Sequence, residues 1–277
     1  MPDDSLSIGM EDPSAPDSEL LTGEDPAPFE VINPDSLRPL LLICDHASRV
    51  VPAQLGRLGV AESIFDLHVA YDIGAAAVTR GIAARLGLTA VLNGYSRLVI
   101  DCNRQPGDPQ SIPETSDDIP IPGNAALSEH DQLRRETAIF RPYHGAISER
   151  VTHLWRSTGK PPALFSIHSF TPHMNGEARP WDAGLLWNRD PRIAVPLMES
   201  LRIEQDLMIG DNEPYSGRDV AYSIDVHAGA AGLANAAIEI RQDLLLDEAG
   251  IVRWIDLLSE ALSSLLQNPN LHEVEYF

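Results

Sequence analysis

The chain has 277 residues, with 41 acidic against 20 basic side chains and a net charge of −21, and 43% of it is hydrophobic. That length supports one large domain or two small ones with a full core, while so acidic a balance argues against the basic surface that nucleic-acid binding needs. No apolar run approaches the roughly 18 residues that cross a bilayer. Two cysteines, Cys44 and Cys102, are too few for a disulfide framework and nothing at the N-terminus reads as a secretory signal, so the cytoplasm is the expected compartment.

Residues 1–37 hold ten Asp or Glu, six Pro and no Lys or Arg. Such a segment buries too little apolar surface to offset its ordering entropy, and most of it reads as a disordered or loosely docked tail. The remaining 240 residues, 38–277, carry about −11 and read as a single catalytic domain. There, Leu40 to Cys44 (LLLIC) is a continuous apolar run, as expected of a strand covered on both faces. Asp72 to Leu86 has helical spacing, with Asp72 in the N-cap position and Gly87 as the stop. Leu88 to Leu92 and Leu98 to Ile100 follow as two further strands.

A Pro-, Gly- and Asp-rich loop spans 105–127, a length uncommon in compact domains unless the loop serves a site. Ser128 and Asp131 then mark a capped helix start, and the helical period runs to about Trp155 with a kink or break at Pro142. Ala163 to His168, Gly184 to Trp187, Leu207 to Ile209 and Ala237 to Ile240 are expected strands; Ile193 to Arg202 and Glu248 to Gln267 are expected helices. Strands spaced by helices point to a three-layer α/β/α fold with a mixed, mostly parallel sheet.

Ligands of such sheets bind beyond the carboxyl ends of the strands, so the polar residues at those ends are the candidates. His46 and His168 each sit on a strand and suit zinc; as the bland alternative, each is a satisfied core histidine. A third ligand must be a carboxylate, from Asp72 or Asp45, with Asp72 equally readable as a helix cap. Glu239 lies in the apolar run AIEI, where burial raises a carboxyl toward the range of a general base; its alternative is an ion pair with Arg241 or a distant arginine. Arg97, Asn103 and Arg104 flank Leu98 to Ile100 and together suit a carboxylate ligand, with Asp101 expected to pair with one of the arginines.

Seven stretches occur in order: CDHASRVVP at Cys44, AYDIGA at Ala70, SRLVIDCNR at Ser96, RPYH at Arg141, SIHSFTP at Ser166, GDNEPYS at Gly210 and IEIRQDLL at Ile238. Together they resemble the N-formylglutamate amidohydrolase family, which is similar to zinc carboxypeptidases and aspartoacylase. The resemblance implies zinc held by His46, Asp72 and His168, with Asp45 in reserve, and Glu239 as catalytic acid and base. It also implies Asn103 and Arg104 as the grip on a substrate carboxylate, with Arg97 polarising or holding the substrate. His144 and His227 are secondary candidates for substrate or oxyanion contacts, each equally readable as structural, and Asn212 and Tyr215 are candidates to cover the site. Where the carboxypeptidases place a carboxylate three residues after the first histidine, this chain has Arg49. The implied reaction converts N-formylglutamate and water to glutamate and formate. Its alternatives are another N-acyl amino acid or peptide-like substrate, or a non-catalytic ligand-binding relative. The expected partner is a small acidic N-acyl amino acid, with neither nucleic acid nor membrane, and a homo-oligomer is compatible with all of this.

Overall fold

The computed structural model describes residues 19–203 and 206–277. Its elements in chain order are β1 (Phe29–Ile32), β2 (Leu40–Cys44), α1 (Ala75–Leu86), β3 (Thr89–Asn93), and β4 and β5 (Thr115–Ser116, Ile119–Pro120). They continue with α2 (Glu129–Arg135), α3 (Arg141–Thr158), β6 (Ala163–Phe170), and β7 and β8 (His173–Met174, Glu177–Ala178). The last are β9 (Ala183–Leu186), α4 (Ala194–Arg202), β10 (Ile209–Asp211), α5 (Tyr222–His227), β11 (Asn235–Arg241) and α6 (Glu248–Leu265).

Seven strands form one sheet in the order β1-β3-β2-β6-β11-β9-β10. The four central strands β3, β2, β6 and β11 run parallel; β1 and the pair β9 and β10 run the other way. Alternation in β2 supplies both cores. Leu40, Leu42 and Cys44 pack with Val78, Ile82, Trp254 and Leu258 on one face, while Leu41 and Ile43 pack with Tyr143, Ile147 and Leu154 on the other. The mixed, mostly parallel α/β architecture expected from the alternating pattern is therefore the one observed. Among the described residues no helix is long and apolar enough to cross a membrane.

Three local expectations fail, each for a physical reason. Leu98 to Ile100 is fully buried but forms a turn. Side chains rather than a neighbouring strand satisfy its carbonyls: Asn124 donates to Leu98 O at 2.8 Å, and the buried Arg135 donates to Val99 O at 2.9 Å. Asp72 caps nothing, because α1 starts at Ala75 behind Gly74 at φ 82°, without a side-chain cap. Residues 1–18 lie outside the described residues, but the second half of the acidic segment is docked, with Leu20 buried and Phe29–Ile32 paired antiparallel to β3. A four-residue strand, FEVI, was averaged away by the composition around it.

The helical stretch from Ser128 is one rod with a wide π turn, Glu136–Phe140, just before Pro142. A proline lacks the N–H that a regular turn would use, and the wider turn absorbs the gap. Ser128 caps the start by accepting from Asp131 N at 3.1 Å.

Gly74 is a requirement of the site-bearing loop. Its left-handed backbone disfavours any side chain, and a Cβ there would collide with Leu245. Gly74→Ala is expected to cost about 1–3 kcal/mol, read as a lower urea midpoint at unchanged m; an unaltered midpoint would show that the loop relaxes freely.

Candidate active site

The parallel strands deliver the candidate residues to one end of the sheet. His46 follows β2, His168 lies within β6, and Glu239 lies in β11 directly opposite His168 in the register. Asp72 comes from the loop before α1 and is held by its own backbone, whose N–H donates to His46 O at 3.0 Å. All four are buried.

Among the described residues, His46, Asp72 and His168 form a group whose donor atoms all lie within 4.8 Å of one another. Asp72 Oδ2 is 3.2 Å from His46 Nδ1 and 2.8 Å from His168 Nδ1. The other ring nitrogens are also taken: His46 Nε2 meets Asp101 Oδ1 at 2.7 Å, and His168 Nε2 meets Asp45 Oδ2 at 3.2 Å and the Ser166 hydroxyl at 2.9 Å. A carboxylate behind each imidazole fixes its tautomer and orientation, the usual arrangement behind histidine ligands. Asp45 is thereby placed behind His168 and outside the group that could hold a metal. It also accepts from the hydroxyls of Ser223 at 2.6 Å and Tyr143 at 3.0 Å.

Charge sets the same requirement. Burial pushes Asp45, Asp72 and Asp101 up, but the imidazoles, and for Asp101 foremost Arg97, hold all three below the usual carboxylate range, Asp45 at about 2. Burial pulls both imidazoles down, yet their carboxylate partners leave both raised. Three ionised aspartates against the single guanidinium of Arg97 leave two negative charges, which one divalent cation balances with both imidazoles neutral. Two imidazoles and a carboxylate are a fitting donor set for zinc, so the residues fit a metal.

A cavity of about 270 Å³ opens over this group and is also lined by Arg97, Asn103, Arg104, Tyr215 and Glu239. Burial pushes the Glu239 carboxyl up to about 7, against the pull of His168, and its Oε2 has no hydrogen-bond partner. The alternative pairing with Arg241 does not occur, since that guanidinium bonds Asp243 and Asp182. Arg97 is largely spent within the protein, at 2.6 Å from Asp101 and 3.7 Å from Asp72. Arg104 makes one long bond, to Asn103 O at 3.4 Å, and has no carboxylate partner among the described residues. Asn103 is fixed by Ser223 N, which donates to its Oδ1 at 3.1 Å.

Three expected contacts are placed elsewhere. His144 and His227 stack on each other with ring nitrogens 2.7 Å apart, His144 donates to Cys102 O at 2.9 Å, and neither lines the cavity. Asn212, at φ 53°, accepts from Trp187 N and Gly217 N and shapes its own loop. Tyr215 does line the cavity, its hydroxyl accepting from Arg179 at 3.0 Å. Arg49 is outside, paired with Asp66 at the surface. Sequence reasoning missed His68 and Asp117, which line the cavity, and Arg179, which reaches it through Tyr215. The one signal was the length of the 105–127 loop, which brings Gln110, Pro113, Ser116 and Asp117 to the cavity.

Asp101→Asn and Asp45→Asn are each expected to weaken zinc affinity about 10–100-fold, measured by competition with a chromophoric chelator. Wild-type affinity in both variants would remove the carboxylates from the metal's support.

The chain is similar to known proteins over most of its length. A family model described as N-formylglutamate amidohydrolase matches residues 38–246. The solved structure of a gene product of Agrobacterium tumefaciens is similar at 33% identity and a TM-score of 0.85, covering 89% of this chain and 98% of that one. An N-formylglutamate amidohydrolase of Ralstonia eutropha shares the fold at 21% identity and a TM-score of 0.71, covering 87% and 97%. No curated protein matches the chain.

Proposed function

Because the chain belongs to the N-formylglutamate amidohydrolase family, we propose that it is a zinc-dependent hydrolase that cleaves N-formylglutamate to glutamate and formate. The observation that carries the reading is one cavity lined by the His46–Asp72–His168 group, the buried Glu239 and Arg104, which has no carboxylate partner among the described residues.

His46, Asp72 and His168 would hold the metal, which when bound supplies Lewis acidity toward a carbonyl oxygen and makes water a better nucleophile near neutrality. Glu239, raised to about 7, accepts a proton from the water that attacks the formyl carbon. It passes that proton to the amine nitrogen as the C–N bond breaks, and a group titrating near the working pH can serve in both directions. Arg104 takes a substrate carboxylate as a charge-assisted pair, and Asn103, pinned by Ser223, presents its amide NH₂ beside it. Arg97 holds Asp101 and Asp72 in place, so it acts on the substrate chiefly through the metal's support. The surrounding walls fix the formyl carbon against Glu239, and such positioning is worth as much as the proton transfer itself.

Zinc-loaded protein is expected to release formate from N-formylglutamate, and to turn over N-acetylglutamate and short peptides far more slowly. Glu239→Gln should keep its metal and lose about 10²–10⁴-fold in kcat. Formate release at the wild-type rate from that variant, or none from zinc-loaded wild type, would sink the reading. Arg104→Ala should raise KM by roughly tenfold or more, the scale of a lost charge-assisted hydrogen bond, with a smaller effect on kcat; an unchanged KM would remove it from the substrate grip.

A further inference from the structure

The cavity's basic side chains are unequally committed. Arg97 is paired with two aspartates, and both ring nitrogens of His46 and of His168 are engaged. Arg104, with no carboxylate partner among the described residues, can take one carboxylate. The remaining basic side chain lining the cavity is His68, in the turn after residues 62–66. Its Nε2 lies 2.6 Å from Asp117 Oδ2. A carboxylate only accepts, so Nε2 carries the hydrogen and donates.

Asp117 reaches that donor from the tip of the β4–β5 hairpin. It and Asp118 form the two-residue turn, at φ 46° and 60°. A two-residue hairpin turn takes positive φ at both positions, and aspartate tolerates that region better than most residues. Both partners are part-exposed, His68 at 31% and Asp117 at 42% of the side chain. A hydrogen bond between two part-exposed side chains adds little net stability on its own. The cavity rim therefore carries an N–H already directed at a carboxylate, with a weakly held internal carboxylate as its acceptor.

The geometry points to His68 as the residue that binds the second carboxylate of a dicarboxylate ligand, in competition with Asp117. The two assignments divide the ligand: Arg104 takes one carboxylate, His68 the other, and Asp117 sets the threshold by occupying the same donor. Ligands with an acidic side chain are then selected over neutral ones of equal length. This rests on the reading that the cavity takes an acidic amino-acid derivative, but it concerns recognition rather than cleavage.

The test uses ligands with no bond to cleave. Glutarate and valerate have the same chain length and differ by one carboxylate, and each is titrated calorimetrically into the zinc-loaded full chain. Wild type is expected to bind glutarate about tenfold tighter than valerate, the scale of one charge-assisted hydrogen bond. His68→Gln should bring the ratio below about threefold with valerate affinity unchanged, and Asp117→Asn should widen it, since removing a competing charge favours the ligand's. A ratio near one in wild type, glutarate that fails to bind at millimolar concentration, or a His68→Gln variant that keeps the wild-type ratio or weakens both ligands equally, overturns the assignment. Protein that shows the glutarate preference but releases no formate from N-formylglutamate would overturn the proposed reaction and leave this inference standing.

Discussion

The carboxylate of Asp72, shared between two buried imidazoles, is the contact on which the rest of the site depends. It brings His46 and His168 together from neighbouring strands, with both Nδ1 atoms facing the same oxygen. Burying so many charges is expensive unless every lone pair and proton is matched, and the surrounding structure does the matching. Asp101 sits between His46 and Arg97, Asp45 between His168 and three hydroxyls, and the backbone N–H of Ser169 donates to Asp72 at 3.3 Å. Removing one member leaves a buried charge without its partner, so the group behaves as a unit.

The sheet explains why this unit can exist. β2 and β6 are parallel neighbours, so residues near their carboxyl ends emerge on the same side, and β11 beside β6 adds Glu239 in register with His168. The helices supply the supporting groups rather than the ligands. Tyr143 on α3 and Ser223 on α5 both donate to Asp45 Oδ1, and the N–H of Ser223 also fixes Asn103. The short helix α5 thus connects the support of the His46–Asp72–His168 group to Asn103 in the cavity wall.

Much of this was legible in the sequence, and the misses share a cause. Continuous apolar runs such as LLLIC marked buried strands, and the strand-end rule picked out His46, His168 and Glu239. A three-residue apolar run carries no period, however, so Leu98 to Ile100 could be recognised as buried but not as a turn. Asp45 and Asp72 were equivalent as letters, and which nitrogen of which histidine each one meets is a property of tertiary structure alone. His144, His227 and Asn212 have the chemistry of ligand contacts, but their hydrogen bonds are spent on each other, on the Cys102 carbonyl and on a loop backbone. His68 lay in no recognised stretch, and it reaches the cavity only because the long loop folds back over it.

Floor and rim of the cavity are built by different means. The floor, with the metal-binding group and Glu239, is made mainly by strands whose positions are fixed by the two cores on either side of the sheet. The rim comes from segments between strands: the turn bearing His68, the 105–127 loop with Asp117, the hairpin that contributes Met174, and the loop carrying Tyr215. Loops tolerate change that a packed sheet does not, so the reaction class and the choice of substrate can vary independently. Arg179 ties two of those rim segments together, lying over the Tyr215 ring at 4.9 Å and the Phe170 ring at 5.7 Å while bonding Met174. Changes at the rim can therefore alter what the cavity accepts while leaving the Asp72 contact beneath it in place.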